Sequence, residues 1–416
     1  MKAPLTNRRL RIGLISYRSN PHCGGQGVYI RNLSRELSRL GHSVEVIAGP
    51  PDPLLDQNVK LTMLPCLDLY NPADLFRIPT LPELADPVNF LEWLGVATMG
   101  FPEPLTFGMR AMRYLRHRFQ EFDIIHDNQS LSYGIWFIGQ YVPTIATIHH
   151  PITVDRDIAI RSVRSPWKKL KHLRWHSFIG MQKRVARKLS SIITVSECAR
   201  EDICRDFNVP RDRFRIVPNG VDTDIFYPIP EIERAKNRII VTNSADTPLK
   251  GLYYLLKAVA RVAKIRSIRL IVVGTPKPDG GILKLVGRLG IEDHVRFTGR
   301  IDDQEFVRQY ARATMAVVPS VYEGFGLPAG EAMACGVPVI STTGGALPEV
   351  VGDAGILVPP ANEDALAGAI VSLLDNPERA AELGALGYRR VQENFTWRRA
   401  AEKTIAAYNE VIHDHR

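Results

Sequence analysis

The chain is predicted to be an α/β protein of two Rossmann-like, doubly wound domains. Three observations lead there. Its 416 residues are too many for one ordinary domain and comfortable for two. Short β-branched runs alternate with longer amphipathic segments almost throughout, the pattern of parallel sheets covered by helices on both faces. That pattern stops in a Pro- and charge-rich stretch, Asp222–Arg238, and restarts at Ile239.

In the first half the strand candidates are Arg11–Ser16, Ser43–Ala48, Val59–Leu64, Asp123–His126, Thr144–Ile148 and Ser191–Val195. In the second half they are Ile239–Thr242, Leu270–Gly274, Val295–Thr298, Met315–Pro319 and Val337–Ser341. Helical stripes lie between them; Ile30, Leu33, Leu37 and Leu40 form one that stops at Gly41. Residues 50–107 are Pro-rich and read as a long irregular loop, a place where α/β proteins often shape specificity. The expected division is an N-terminal domain over 1–222, a linker over 223–238, a second domain over 239–395 and a terminal helix over 396–416.

Hydrophobic residues make up 45% of the chain and charged residues 23%, so each half can bury a core and neither is disordered. Lys and Arg outnumber Asp and Glu by 53 − 44 = 9, which suggests an anionic partner. The five cysteines (Cys23, Cys66, Cys198, Cys204 and Cys335) form no C-x-x-C, arguing for a reducing compartment and against a zinc ribbon. Met1–Arg9 is polar and basic, and Leu10–Ser16 is too short for the apolar core of a secretory signal. No stretch reaches the ~20 apolar residues that span a bilayer. The expectation is a cytoplasmic protein, at most peripheral on the inner face of a membrane.

Ligands of open parallel sheets bind beyond the carboxyl ends of the strands, so motifs just after strands are the site candidates. The sharpest is Val318-Pro-Ser-Val-Tyr-Glu323-Gly-Phe-Gly-Leu-Pro-Ala-Gly-Glu331. Its glycines permit close backbone approach. Pro328 suits the first position of a helix, whose free N–H groups suit a diphosphate, with Glu331 expected in the first turn. Two carboxylates around an anion site make sense if they hydrogen-bond hydroxyls of attached sugars. Thr247-Pro248 reads as a helix N-cap and first position, which puts Lys250 in a first turn, where a cation opposes the helix dipole unless a diphosphate binds there. His149 and His150 end the fifth strand, and adjacent strand residues point oppositely, so one role is not shared by both.

Embedded as EGFGLPAGEAMACGVPVI, the E-x7-E spacing resembles the signature of the family 4 retaining glycosyltransferases. Other matches follow in order: Gly24-Gly25-Gln26-Gly27, Gly41-His42-Ser43-Val44, Pro218-Asn219-Gly220-Val221-Asp222, Lys250-Gly251, Gly344-Gly345-Ala-Leu-Pro348-Glu349 and Phe395-Thr396-Trp397. The resemblance implies the GT-B fold, two Rossmann-like domains facing a cleft, with acceptor bound by the first and donor by the second. It implies transfer of a sugar from a nucleoside-diphosphate sugar to an alcohol with retention, no metal and no cofactor. It maps the transferred sugar to Glu323, the ribose to Glu331, the diphosphate to Lys250, close backbone approach to Gly24 and Gly25, and the donor sugar to His149. Gly324, Phe325, Gly326 and Leu327 complete the donor loop. The family's usual Arg five or six residues before the lysine is absent: Ser244 and Ala245 stand there, and Arg300 is a candidate substitute. That departure keeps two rivals open, a catalytically impaired scaffold and a sugar-nucleotide epimerase of the same fold.

Arg161–Lys188 carries ten Lys or Arg and no Asp or Glu, with Trp167, Leu170, Leu173, Phe178, Met181 and Val185 as an apolar stripe. Three readings stand: a solvated face of a packed helix, an element lying on an anionic membrane surface, and a site for a phosphorylated or lipid-linked acceptor. Nucleic acid is not an expected partner, since aromatics are few and no recognition motif occurs. His172 and His176, spaced i, i+4, lack the Glu of H-E-x-x-H and are not read as zinc ligands.

Overall fold

The structure is a computed structural model and describes residues 8–19, 25–71, 74, 77–161, 163–242, 248–278 and 280–415. The chain divides into two compact units: residues 1–195, 199–217 and 400–416, and residues 196–198 and 218–399. The segment read as a linker, 223–238, is thus grouped with the second unit.

In the first unit the elements run β1 (Arg11–Ser16), α1 (Gly25–Arg39), β2 (Ser43–Ala48), β3 (Lys60–Met63), α2 (Leu81–Leu84), α3 (Pro87–Ala97), α4 (Glu103–Leu115), β4 (Ile124–Asn128), α5 (Tyr133–Ile138), β5 (Thr144–Ile148), α6 (Thr153–Arg161), α7 (Pro166–Trp175), α8 (Ile179–Ala186), β6 (Ile192–Thr194), α9 (Glu197–Phe207) and β7 (Phe214–Ile216). The sheet order is β3-β2-β1-β4-β5-β6-β7, all parallel. After their first residues β1 and β2 are buried throughout, as strands covered on both faces must be.

The second unit runs β8 (Arg238–Thr242), α10 (Leu252–Val262), β9 (Arg269–Val273), α11 (Gly281–Leu289), β10 (Val295–Phe297), α12 (Asp303–Ala311), β11 (Met315–Val318), α13 (Leu327–Ala334), β12 (Val339–Thr342), α14 (Leu347–Val351), β13 (Gly355–Val358), α15 (Glu363–Asp375) and α16 (Pro377–Asn394). Its order is β10-β9-β8-β11-β12-β13, again all parallel. Leu255, Leu256, Val259 and Val262 of α10 are buried with Ile239, Val241, Leu270 and Val272 of the strands, which fixes the helix on the sheet. The last helix, α17 (Trp397–Asp414), belongs to the first unit from residue 400 onward.

Several expectations need correction. Residues 50–107 are not an irregular loop: α2, α3 and the start of α4 lie there. Their prolines begin helices. Thr80 and Glu83 form a capping box ahead of α2, and Asp86 caps α3 by accepting from Val88 N at 2.7 Å, with Pro87 as the first helical residue. Lys250 is not in the first turn of an α-helix but ends a 3-10 turn, Pro248–Lys250, and α10 starts after Gly251, whose φ is +69°. Glu331 is the fifth residue of α13, so it lies in the second turn. The basic segment is not one helix. It splits into α7, a 3-10 turn (His176–Phe178) and α8; Met181 and Val185 are buried, whereas Trp167, Leu170 and Leu173 are exposed. The short strands β7 and β13 were not anticipated.

Candidate active site

Each sheet reverses strand order once, between β1 and β4 and between β8 and β11, and beyond those carboxyl ends α/β sheets bind ligands. The two sets of expected site residues gather there, one in each unit.

In the second unit, the chain leaving β8 reaches Lys250 and the chain leaving β11 reaches Glu323. The Lys250 ammonium lies 2.7 Å from Glu323 Oε1, and the Ser320 hydroxyl donates to the same oxygen at 2.8 Å. The Glu323 side chain is 11% exposed and that of Lys250 33%. The backbone allows this only through glycine. A Cβ on Gly251 would stand 1.9 Å from Pro319 O. Gly345, at φ +65°, lets the turn after β12 pass within hydrogen-bonding reach of the Glu323 carbonyl, which accepts from Ala346 N at 2.9 Å. Gly324 and Phe325 lead to Gly326, which precedes Leu327 at the start of α13 with φ +105°, and no side chain caps that terminus.

Glu331 has no hydrogen bond to any described side chain. Burial pushes its carboxyl up to about 7; Lys250 pulls the other way, and the nearby charges of Asp303 and Glu323 add to the rise. Arg300 is exposed, in the turn after the edge strand β10, two strands from β8. It shares the carboxyl edge with Lys250. Ser244 and Ala245, the positions of the missing Arg, lie outside the described residues.

In the first unit, His149 and His150 are told apart. His149 Nε2 lies 2.8 Å from Asn128 Oδ1. The Asn128 amide nitrogen donates to the Gln26 carbonyl at 3.4 Å and to Ser16 Oγ at 3.3 Å, which orients the amide. His149 therefore donates from Nε2 and keeps a lone pair on Nδ1. Burial lowers its pKa to about 3, so the ring is neutral. Tyr29 meets it edge-on at 4.7 Å. His150 Nε2 instead pairs with Asp155 Oδ2 at 2.8 Å. Gln129, at φ +60°, clasps this strand end: its Oε1 accepts from His149 N at 2.9 Å and its Nε2 donates to His150 O at 3.0 Å. Beneath lies a chain of hydroxyls and imidazole. Tyr29 OH is 2.9 Å from Thr147 Oγ1, which is 2.7 Å from His126 Nε2, and His126 Nδ1 is 2.6 Å from Tyr408 OH on α17. Gly25 is the exposed first residue of α1, with open space where a Cβ would stand; Gly24 lies outside the described residues.

Sequence reasoning passed over Ser320, Tyr29, Asn128 and Gln129. The polar run Asp127-Asn-Gln-Ser130 at the carboxyl end of β4 was the available signal. Among the described residues no group of three or more His, Cys, Asp or Glu is arranged to hold a metal ion. No helix among them is long and apolar enough to cross a membrane.

Comparison with known proteins meets this geometry. The family described as Glycosyltransferase Family 4 matches residues 23–225, and that described as Glycosyl transferases group 1 matches residues 236–376. An MMP alpha-(1->4)-mannosyltransferase of Mycolicibacterium hassiacum is 47% identical over 408 residues, covering 97% of this chain and 98% of the relative. A D-inositol 3-phosphate glycosyltransferase of Saccharomonospora viridis is 28% identical over 434 residues, covering 97% and 94%. Among solved structures, a sucrose-phosphate synthase from Thermosynechococcus elongatus superposes with a TM-score of 0.75 at 27% identity, covering 98% of this chain and 100% of that one. The Anabaena HepE structure in complex with UDP and glucose gives 0.69 at 17% identity, covering 96% and 99%.

Proposed function

The chain belongs to the family 4, group 1 glycosyltransferases of GT-B fold, and from that premise we propose that it moves a mannosyl group, with retention, from a nucleoside-diphosphate mannose to a sugar hydroxyl, forming an α-(1→4) link. The group and the linkage follow the name of the 47% identical relative. The chemistry rests on one observation: Lys250, Glu323 and Glu331 converge at the carboxyl edge of the second sheet.

The hard event is rupture of the anomeric C–O bond, whose electron pair departs on the diphosphate. Lys250 and the uncapped start of α13 supply positive potential where that charge grows. A diphosphate competes with Glu323 for Lys250. Once the lysine turns to phosphate, Glu323 is free to accept hydrogen bonds from hydroxyls of the transferred sugar, and Glu331 from the ribose. The acceptor oxygen attacks on the face the diphosphate leaves, and its proton passes to a departing phosphate oxygen. In this scheme no metal is needed. His149, neutral with an open Nδ1, suits a hydrogen bond from a sugar hydroxyl.

The test is incubation with the mannose conjugates of guanosine, uridine and adenosine diphosphate and a mannoside acceptor, with the product's anomeric proton read by NMR. An α-linked disaccharide made from one conjugate is the expected result. A β-linked product removes retention. Release of free mannose alone, whatever the acceptor, removes the transferase assignment.

The reading extends to the cell. Exposed Trp167, Leu170 and Leu173 project from a helix rich in lysine, in a stretch with no acidic residue. This supports work against an anionic bilayer, on the cytoplasmic side where nucleotide sugars are made.

A further inference from the structure

The chain leaving β4 has no glycine where its backbone would favour one. Gln129 has φ +60° and Leu131 φ +49°. L residues hold that left-handed region only where the surroundings over-determine it, and such residues cluster at working sites. The surroundings do so here. The buried Asp127 carboxyl accepts from Leu131 N at 2.8 Å and from the Ser130 hydroxyl. From α8, the Gln182 amide nitrogen donates to Gln129 O at 3.1 Å and to Ser130 O at 3.3 Å. Gln182 is 1% exposed, and its own amide oxygen, likewise buried, has no hydrogen-bond partner among the described residues. An amide turned so that its nitrogen serves the loop, even with its acceptor unmet, is a brace on that loop. A glycine at 129 would carry none of the backbone strain, so the reason for glutamine lies in its side chain.

That side chain works across the sheet. β4 and β5 stay paired as far as Asn128 and Thr147. Past that rung the backbone of Gln129 turns away and its amide takes over: Oε1 accepts from His149 N at 2.9 Å and Nε2 donates to His150 O at 3.0 Å. One amide therefore brackets both histidines. With the nitrogen of the first and the carbonyl of the second held, the side chains between them are aimed as well. The rings go separate ways, His149 Nε2 to Asn128 Oδ1 at 2.8 Å and His150 Nε2 to Asp155 Oδ2 at 2.8 Å. Tyr29 stands edge-on to the His149 ring.

We propose that Gln129 is the positioning residue of His149, and that Gln182 acts through it as a brace. Gln129 itself reaches no substrate; it sets the direction from which the His149 lone pair meets a sugar hydroxyl. Its effect on turnover rests on the transferase reading, and its effect on the ring on these hydrogen bonds alone.

Gln129→Gly and Gln129→Met test this on the full chain. Glycine relieves the backbone and removes the amide; methionine keeps the reach and loses the amide. Both are expected to melt close to the wild type. Nitrogen-15 NMR, with His149 assigned by its loss in His149→Gln, is expected to show one neutral tautomer in the wild type, protonated on Nε2. Both variants are expected to show mixed tautomers that titrate nearer the ordinary ~6.5. For glycosyl transfer, kcat is expected to fall roughly tenfold to a hundredfold, as for a misplaced group, with KM for the nucleotide sugar unchanged. A wild-type His149 signal in both variants overturns the positioning role, whatever kcat does. Early melting of both variants also overturns it, and makes Gln129 a support of the fold instead. A changed signal with unchanged kcat keeps the positioning role and removes His149 from the chemistry. A wild type that transfers no sugar sinks the transferase reading, and the NMR comparison then decides alone.

Discussion

Lys250 and Glu323, 73 residues apart in the chain, form a 2.7 Å ion pair at the carboxyl edge of the second sheet. The reading of the site gives each a different ligand group, so substrate binding exchanges one set of partners for another. The nearly buried carboxylate is held meanwhile by Lys250 and Ser320.

Lys250→Ala removes the cation that the proposed mechanism sets against the leaving group, and leaves Glu323 with the Ser320 hydroxyl but without its ammonium partner. Loss of one preorganised electrostatic contact typically lowers kcat by roughly 10²–10³. A fall of that order in kcat/KM for the nucleotide sugar is expected, together with loss of the thermal shift given by the nucleoside diphosphate. Steady-state kinetics and melting curves with and without nucleotide check both.

Glu331→Gln separates stability from binding through pH. The wild-type carboxyl is raised to about 7 by burial, whereas unfolded it titrates near ~4.3. Between those values the folded state holds the proton that the unfolded state has lost, so this group's contribution falls as pH rises. Gln carries no charge to bury. The variant is expected to melt above the wild type at pH 8 and level with it at pH 4, while binding nucleotide more weakly. Melting curves at the two pH values decide. His149, lowered to about 3, is neutral across this range and gives no limb to the activity profile between pH 5 and 8.

Two glycines test backbone roles in opposite ways. Gly251→Ala puts a Cβ into Pro319 O at φ +69°, a strained conformation that costs at least ~1 kcal/mol, and a lower melting temperature is expected with donor affinity lost. Gly25→Ala meets open space. Its melting temperature should match or exceed that of the wild type, and any loss should appear only in ligand binding. Unchanged kinetics in Gly25→Ala would end the idea that substrate approaches the start of α1.

At low ionic strength the protein is expected to float with vesicles containing phosphatidylglycerol and to stay in solution with neutral ones. Replacing Trp167, Leu170 and Leu173 by Ser should abolish flotation, and ~0.5 M salt, with a Debye length of only a few Å, should weaken it. Wild-type protein that ignores anionic vesicles would remove the membrane from the account.

Where a strand is a β-branched run buried on both faces, as at β1, β2 and β5, its limits are legible to the residue. The three residues of β7 and the Gly-led β13 are too short to stand out from loops. The prolines of 50–107 mislead because Pro breaks a helix interior yet starts a helix at its first turn, and only the caps at Thr80 and Asp86 tell the two apart. Lys250 and Glu323 are each visible as motif members, but the pairing of β8 with β11 is what joins them. Asn128 and Gln129 decide between His149 and His150 from a neighbouring strand, information that no local window carries.

The bond between His126 and Tyr408 spans 282 positions. At about 5–20 residues per second, a ribosome takes roughly 15–60 seconds to travel that distance. Throughout that interval the first unit has no α17 to receive the imidazole, and the whole second unit is made in the meantime. The half of the protein that is translated first is therefore the half completed last, and a nascent chain cut short before residue 408 leaves His126 without Tyr408 however well the rest has formed.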